Sequence, residues 1–180
     1  MEKFFTFDDV GIDSSILHNW YKPFDIKWTK PKDFNDINNI STLDIPNRCV
    51  YIITRYHGNM KDNTPVVEYI GLSTNIHKRF KNHKTAQNVS SKRGDTKISF
   101  GTINFSGYRK ETISNILESI EHILNILIFT LNPTENIKKV SSHVKQISRD
   151  YGWHINNVNH KNVVNYMPKE ILYPCVAIKN

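Results

Sequence analysis

Two tyrosines, an arginine, a histidine and a glutamate are the residues of this chain whose types and order could do chemistry together. Tyr51 stands in Cys49-Val50-Tyr51-Ile52-Ile53-Thr54, and Tyr69 in Val66-Val67-Glu68-Tyr69-Ile70-Gly71. Arg79 and His83 follow, then Glu118 and Glu121 in a long apolar segment, then Asn136. Hydrolysis of a phosphodiester needs a cation or metal on the non-bridging oxygens, a base for the water and a means of stabilising the leaving alkoxide. Taken singly, a strand tyrosine is usually a packing residue, a helix glutamate a solvated one and a surface arginine unremarkable. Order and spacing are what make them a set.

The elements that must carry these residues are legible from local pattern. Val50-Tyr51-Ile52-Ile53 is rich in β-formers, and the Gly, Asn and Asp content of Tyr56 to Pro65 reads as a turn too long for a two-residue hairpin. Val66 to Ile70 returns as a second strand ended by Gly71. Ser73 or Thr74 then caps a helix expected from Asn75 to about Thr85. In that helix Ile76 and Phe80 make an apolar stripe, and Arg79 and His83 share the adjoining face at i, i+4 spacing. Gln87 to Thr96 reads as a flexible loop, and Lys97 to Phe105 alternates like a third strand. Ile113, Ile116, Leu117, Ile120, Ile123, Leu124, Leu127 and Leu131 predict a helix over about 109–131, capped by Ser106 or Gly107 and stopped by Pro133. Before this block, Ser14 to Tyr21 suggests a short helix, Phe24 to Thr29 a brief strand and Pro31 to Pro46 a linker. After it, Val140, Val144 and Ile147 suggest another helix, and Ile171 to Ile178 is a last apolar run. Trp20, Tyr21 and Trp28 could stack on bases or anchor the N-terminal segment to the core.

Composition narrows the partner. Lys and Arg total 24 against 17 Asp and Glu, a formal net charge of +7, which suits nucleic acid or another acidic partner. From His77 to Lys110 the charge is nearly of one sign, relieved only by Asp95. Lys78, Lys81, Lys84, Lys92, Arg93 and Lys97 in this stretch read either as phosphate-backbone contacts or as a solvated face. Two cysteines, Cys49 and Cys175, make no disulfide framework or zinc spacing, so a reducing cytoplasm is the expected compartment. The apolar segment at 113–131 is interrupted by polar residues, so no membrane partner is expected.

The ordered set resembles the GIY-YIG nuclease family. Cys49-Val50-Tyr51 stands for the first triplet, with cysteine in place of its glycine, and Tyr69-Ile70-Gly71 matches the second in full. Arg79 comes ten residues after Tyr69, where the family has its helix arginine, and His83 follows one turn later. Glu121 and Asn136 match the glutamate of the long helix and the asparagine after its terminating turn, with Glu118 the alternative carboxylate. The resemblance covers about residues 48–138, and the segment between the triplets is longer than usual.

That resemblance implies an α+β fold, a small three-stranded antiparallel sheet flanked by helices, in a catalytic domain over 47–138. An N-terminal extension over 1–46 and a C-terminal one over 139–180 would flank it. It implies one divalent ion, Mg²⁺ or Mn²⁺, held chiefly by Glu121. Tyr51 would orient or deprotonate the attacking water, and Arg79 would stabilise charge on the phosphoryl oxygens. Tyr69 and His83 would position the phosphate or share proton transfer, and Asn136 would hold the site together. The expected function is a metal-dependent endonuclease acting on double-stranded DNA, as a homodimer in restriction or defence. The alternatives are a repair or mobile-element nuclease, an RNA-directed nuclease, or a nucleic-acid-binding module that has lost catalysis.

Overall fold

The computed structural model describes residues 21–39, 49–57, 64–104, 113–136 and 152–173. The helices expected at 14–21 (save Tyr21) and at 140–147, the cap at 106 or 107, and Cys175 lie outside them. Seven strands form one mixed sheet: β1 (Tyr21–Trp28), β2 (Lys32–Asp33), β3 (Cys49–Tyr56), β4 (Val66–Ser73), β5 (Asp95–Asn104), β6 (Gly152–Val158) and β7 (Glu170–Tyr173). Their order is β4-β3-β5-β1-β6-β7, with β2 also pairing with β5, and the sheet curls into a half-barrel. Among the described residues three α-helices accompany it: α1 (Ile76–Lys81), α2 (Lys84–Ser90) and α3 (Ile113–Leu131).

This corrects the small three-stranded antiparallel sheet implied by the resemblance. The strands expected from the alternation at 49–54, 66–70 and 97–105 are present and pair antiparallel as β4-β3-β5. They do not end there. β5 runs ten residues, and its second edge would leave a row of buried peptide groups unpaired. β1 takes the far half of that edge, Asp25 opposite Asn104 through Trp28 opposite Gly101, and β2 takes the near half at Lys97 and Ile98. β6 then adds to β1 in parallel, and β7 closes the far end antiparallel to β6. Strands from within 1–46 and 139–180 are therefore parts of the same sheet as the strands from 47–138.

Strand alternation sorts the core into two layers. Val50 and Ile52 of β3, Val67 and Ile70 of β4, and Ile26, Trp28, Trp153 and Ile155 pack against α3 through Ile123, Leu124, Leu127, Ile128 and Leu131. On the other face Cys49, Tyr51, Ile53, Ile98 and Phe100 meet Ile76 and Phe80 of α1, Ala86 and Val89 of α2, and Ile37 of a 3-10 turn at Phe34–Asn39. Cys49 is a buried free thiol whose pKa burial pushes up to about 12, so it is a packing residue. Among the described residues no helix is long and apolar enough to cross a membrane.

α3 stops as expected. Asn132 takes a left-handed conformation (φ 44°), its N–H still bonds to Ile128 O at 2.9 Å, and Pro133 cannot continue the helix. The turn that follows lies along the outer edge of β4. Glu135 N–H donates to Glu68 O at 2.8 Å, and the Asn136 carboxamide accepts from Ile70 N–H and donates to Ile70 O, both at 2.9 Å. A side chain thus supplies the ladder partner that an edge strand lacks.

Candidate active site

The single helix expected over 75–85 is two. Asn75 caps α1, accepting from Lys78 N–H at 2.9 Å, and Ser73 Oγ accepts from Asn75 N–H just before it. At Asn82 the backbone leaves the helical region (φ −128°, ψ 24°), and His83 restarts the helix as the cap of α2. The cause is local: His83 Nδ1 accepts from Ala86 N–H at 3.2 Å, satisfying a helix-terminal donor that would otherwise be orphaned. Thus part of the stretch read as a loop from Gln87 is the helix α2.

The break turns the His83 ring under β3. Nε2 lies 2.8 Å from the Tyr51 hydroxyl, and Arg79 Nε of α1 donates to the same oxygen at 3.3 Å. Tyr69 of β4 stacks beside Tyr51 with centroids 6.1 Å apart and meets the His83 ring edge-on at 5.0 Å. Phe80 closes the group, 5.1 Å from Tyr51 and 5.5 Å from His83. Room for this comes from Gly71, opposite Tyr51 in the ladder: a Cβ there would collide with the Tyr51 ring and sit 2.8 Å from Tyr69 Cε1. The glycine of the second triplet is thus a packing requirement of the two tyrosines.

Tyr51 is wholly buried and His83 nearly so, whereas Tyr69 is half-buried and Arg79 exposed. Burial pushes the Tyr51 phenol well above its ordinary pKa, against the opposing hydrogen bond from Arg79. His83 is pushed down, first by burial and then by the charge of Arg79. The imidazole is therefore neutral at pH 7. A folded-state pKa below the ordinary value of about 6.5 contributes stability at higher pH that is lost as pH falls, because the unfolded chain takes up the proton first. We expect the urea midpoint to drop below about pH 6.5. His83→Asn, which can still cap α2 but cannot protonate, should flatten this fall relative to wild type; an unchanged profile in the variant would assign the effect to other groups.

The other expected site residues lie apart from this cluster. Asn136 is buried and tied to Ile70, one residue from Tyr69. Glu121 is exposed, on the helix whose apolar side covers the opposite face of the sheet. Glu118 is outside the residues whose side chains are described. Among the described residues no group of three His, Cys, Asp or Glu stands together. Of the six cations assigned to nucleic acid, Lys97 pairs with Asp33 at 2.7 Å and Lys92 with Glu135 at 2.6 Å. Lys78, Lys81, Lys84 and Arg93 are exposed and make no ion pair with a described residue.

One charged centre was not anticipated from sequence. Glu68 is buried on β4 and accepts from Arg55 Nε and Nη2, both at 2.7 Å, and from the Thr134 hydroxyl, with Lys92 at 3.8 Å. Burial alone would raise its carboxyl; the bonds from Thr134 and Arg55 and the charges of Arg55 and Lys92 outweigh it and hold the group below the ordinary glutamate value. A lone acid in an apolar strand with an arginine across the hairpin was the available signal. Its placement depends on a bulge, since the ladder steps from Ile53 opposite Tyr69 to Thr54 opposite Val67 and leaves Glu68 as the extra residue.

No protein-family model matches the chain, and comparisons with curated proteins and with solved structures give no match.

Proposed function

We propose that this chain hydrolyses phosphodiester bonds of DNA as an endonuclease. The observation that supports this best is the convergence of Tyr51, Tyr69, Arg79 and His83, from two strands and two helices, on one phenol oxygen and one ring cluster. The resemblance to GIY-YIG nucleases groups these same four residues around a phosphate. Arg79 is the member best suited to meet it, since it is exposed while its Nε is tied to the buried Tyr51 hydroxyl. A planar guanidinium can place two N–H groups on one phosphoryl group and offset the charge that builds there as water attacks. Lys78, Lys81 and Lys84 on the same helix pair would hold the flanking backbone by charge, so binding should weaken steeply with salt. Tyr69 is the partly exposed phenol beside Arg79, placed to touch the phosphate.

Mg²⁺ or Mn²⁺ comes to this reading from the resemblance, through Glu121, which is exposed on the helix covering the sheet face opposite the Tyr51 cluster. A restriction or defence role as a homodimer rests likewise on the resemblance. The direct test is incubation with supercoiled plasmid, with and without Mg²⁺, for wild type and Glu121→Ala. Metal-dependent nicking or linearisation is expected; cleavage left intact in Glu121→Ala would remove Glu121 as the metal-holding residue. The second reading, a nucleic-acid-binding module without catalysis, draws on the buried Tyr51 hydroxyl. Salt-sensitive binding with no cutting under any divalent ion would select it.

A further inference from the structure

We propose that Tyr51 and His83 are positioning residues that aim Arg79 at the phosphate, and that neither touches substrate. The inference rests on the reading that Arg79 meets a phosphate, and it reverses the expectation that Tyr51 handles the attacking water.

The hydrogen-bond directions carry it. His83 Nδ1 accepts from Ala86 N–H, so its lone pair is occupied by the cap of α2. In a neutral imidazole the proton must then sit on Nε2, which makes His83 the donor in its 2.8 Å bond to Tyr51. Arg79 Nε–H is a second donor to the same oxygen. The phenol oxygen has two lone pairs, and both are taken. Tyr51 therefore has nothing with which to accept a proton from water, and its ring is fully enclosed by Phe80, Tyr69, His83 and Gly71. His83 cannot take the proton of Tyr51 without giving up the cap. What the arrangement does instead is run a fixed line from the start of α2 through His83 and Tyr51 to Arg79 Nε. With Nε anchored, the guanidinium plane is set and its Nη groups point where the anchor directs them. A long side chain that would otherwise sample many rotamers is held ready, which lowers the cost of binding.

The experiment is a double-mutant cycle on DNA binding, read by fluorescence anisotropy with a short labelled duplex in EDTA so that no cutting occurs. Arg79→Ala should weaken binding, Tyr51→Phe should weaken it by roughly threefold to tenfold, and the double variant should bind no worse than Arg79→Ala. If the two losses multiply in the double variant, Tyr51 acts on DNA directly and the proposal falls. An Arg79→Ala variant that binds like wild type overturns it as well. In case Tyr51→Phe does not fold, nitrogen NMR of the wild-type His83 ring is an independent check: the Nε2–H tautomer is required, and an Nδ1–H tautomer contradicts the line of donors. Wild type that binds but never cuts removes the hydrolytic reading and leaves this inference standing; cutting with a multiplicative cycle does the opposite.

Discussion

Arg79→Ala is expected to lower DNA cleavage by about 10²–10³, the usual effect of removing one donor aimed at developing charge. The reason is that no described residue can take its place: Tyr51 is buried, His83 is neutral, and Lys78, Lys81 and Lys84 are exposed point charges without an anchor. Arg79→Lys should recover little. An ammonium that reaches the Tyr51 oxygen has no planar fork left for the phosphate, and one that reaches the phosphate has lost the anchor. The loss should fall on turnover more than on overall fold, because Arg79 is exposed and its removal leaves the aromatic packing of Tyr51, Phe80 and His83 in place. Initial rates on plasmid, together with circular dichroism of both variants, decide it. Cleavage by Arg79→Ala within a few fold of wild type would move the phosphate elsewhere on the protein.

The second large effect is expected on stability. Glu68→Ala should destabilise the fold by about 2–3 kcal/mol, somewhat below the roughly 3–5 kcal/mol for breaking a fully buried pair. The discount follows from the partners: the Glu68 side chain is 2% exposed, but Arg55 is 12% and Lys92 39%, so the cations left behind keep some water. The loss also frees the Thr134 hydroxyl, which ties the turn after α3 to β4. Because that turn carries Asn136 onto Ile70, loosening it should raise amide exchange at Ile70. Lys97→Ala is the matched control. It removes an ion pair with the exposed Asp33, and such pairs are worth about 1 kcal/mol or less. Equal midpoint shifts for Glu68→Ala and Lys97→Ala in urea would contradict the special weight given to Glu68.

How much of this was legible beforehand follows from which interactions are local. The strands at 49–56 and 66–73 show in their runs of β-branched and aromatic residues, and α3 shows in its apolar period and its Asn132-Pro133 stop. These signals are set by neighbours a few positions away, so they are written in the sequence itself. The candidate cluster was legible for the same reason, since Tyr51, Tyr69, Arg79 and His83 lie within one short stretch. The expected sheet was too small because pairing is not local. Asp25 meets both Asn104 and Asn156, and nothing near Asp25 in the chain announces either partner. Three details of the site share that origin. The bulge that buries Glu68 depends on Thr134 and Arg55 meeting it. The cluster depends on the His83 ring leaving its helix to reach Tyr51. The side of the sheet taken by α3 depends on the summed apolar faces of six strands. Sequence alone determined which side chains could serve a phosphate and which short segments hold them. Only the tertiary structure decided that Tyr51 is enclosed, that His83 is its donor and that Arg79 is the group left facing out, because burial and hydrogen-bond direction are properties of packed neighbours and not of residue order.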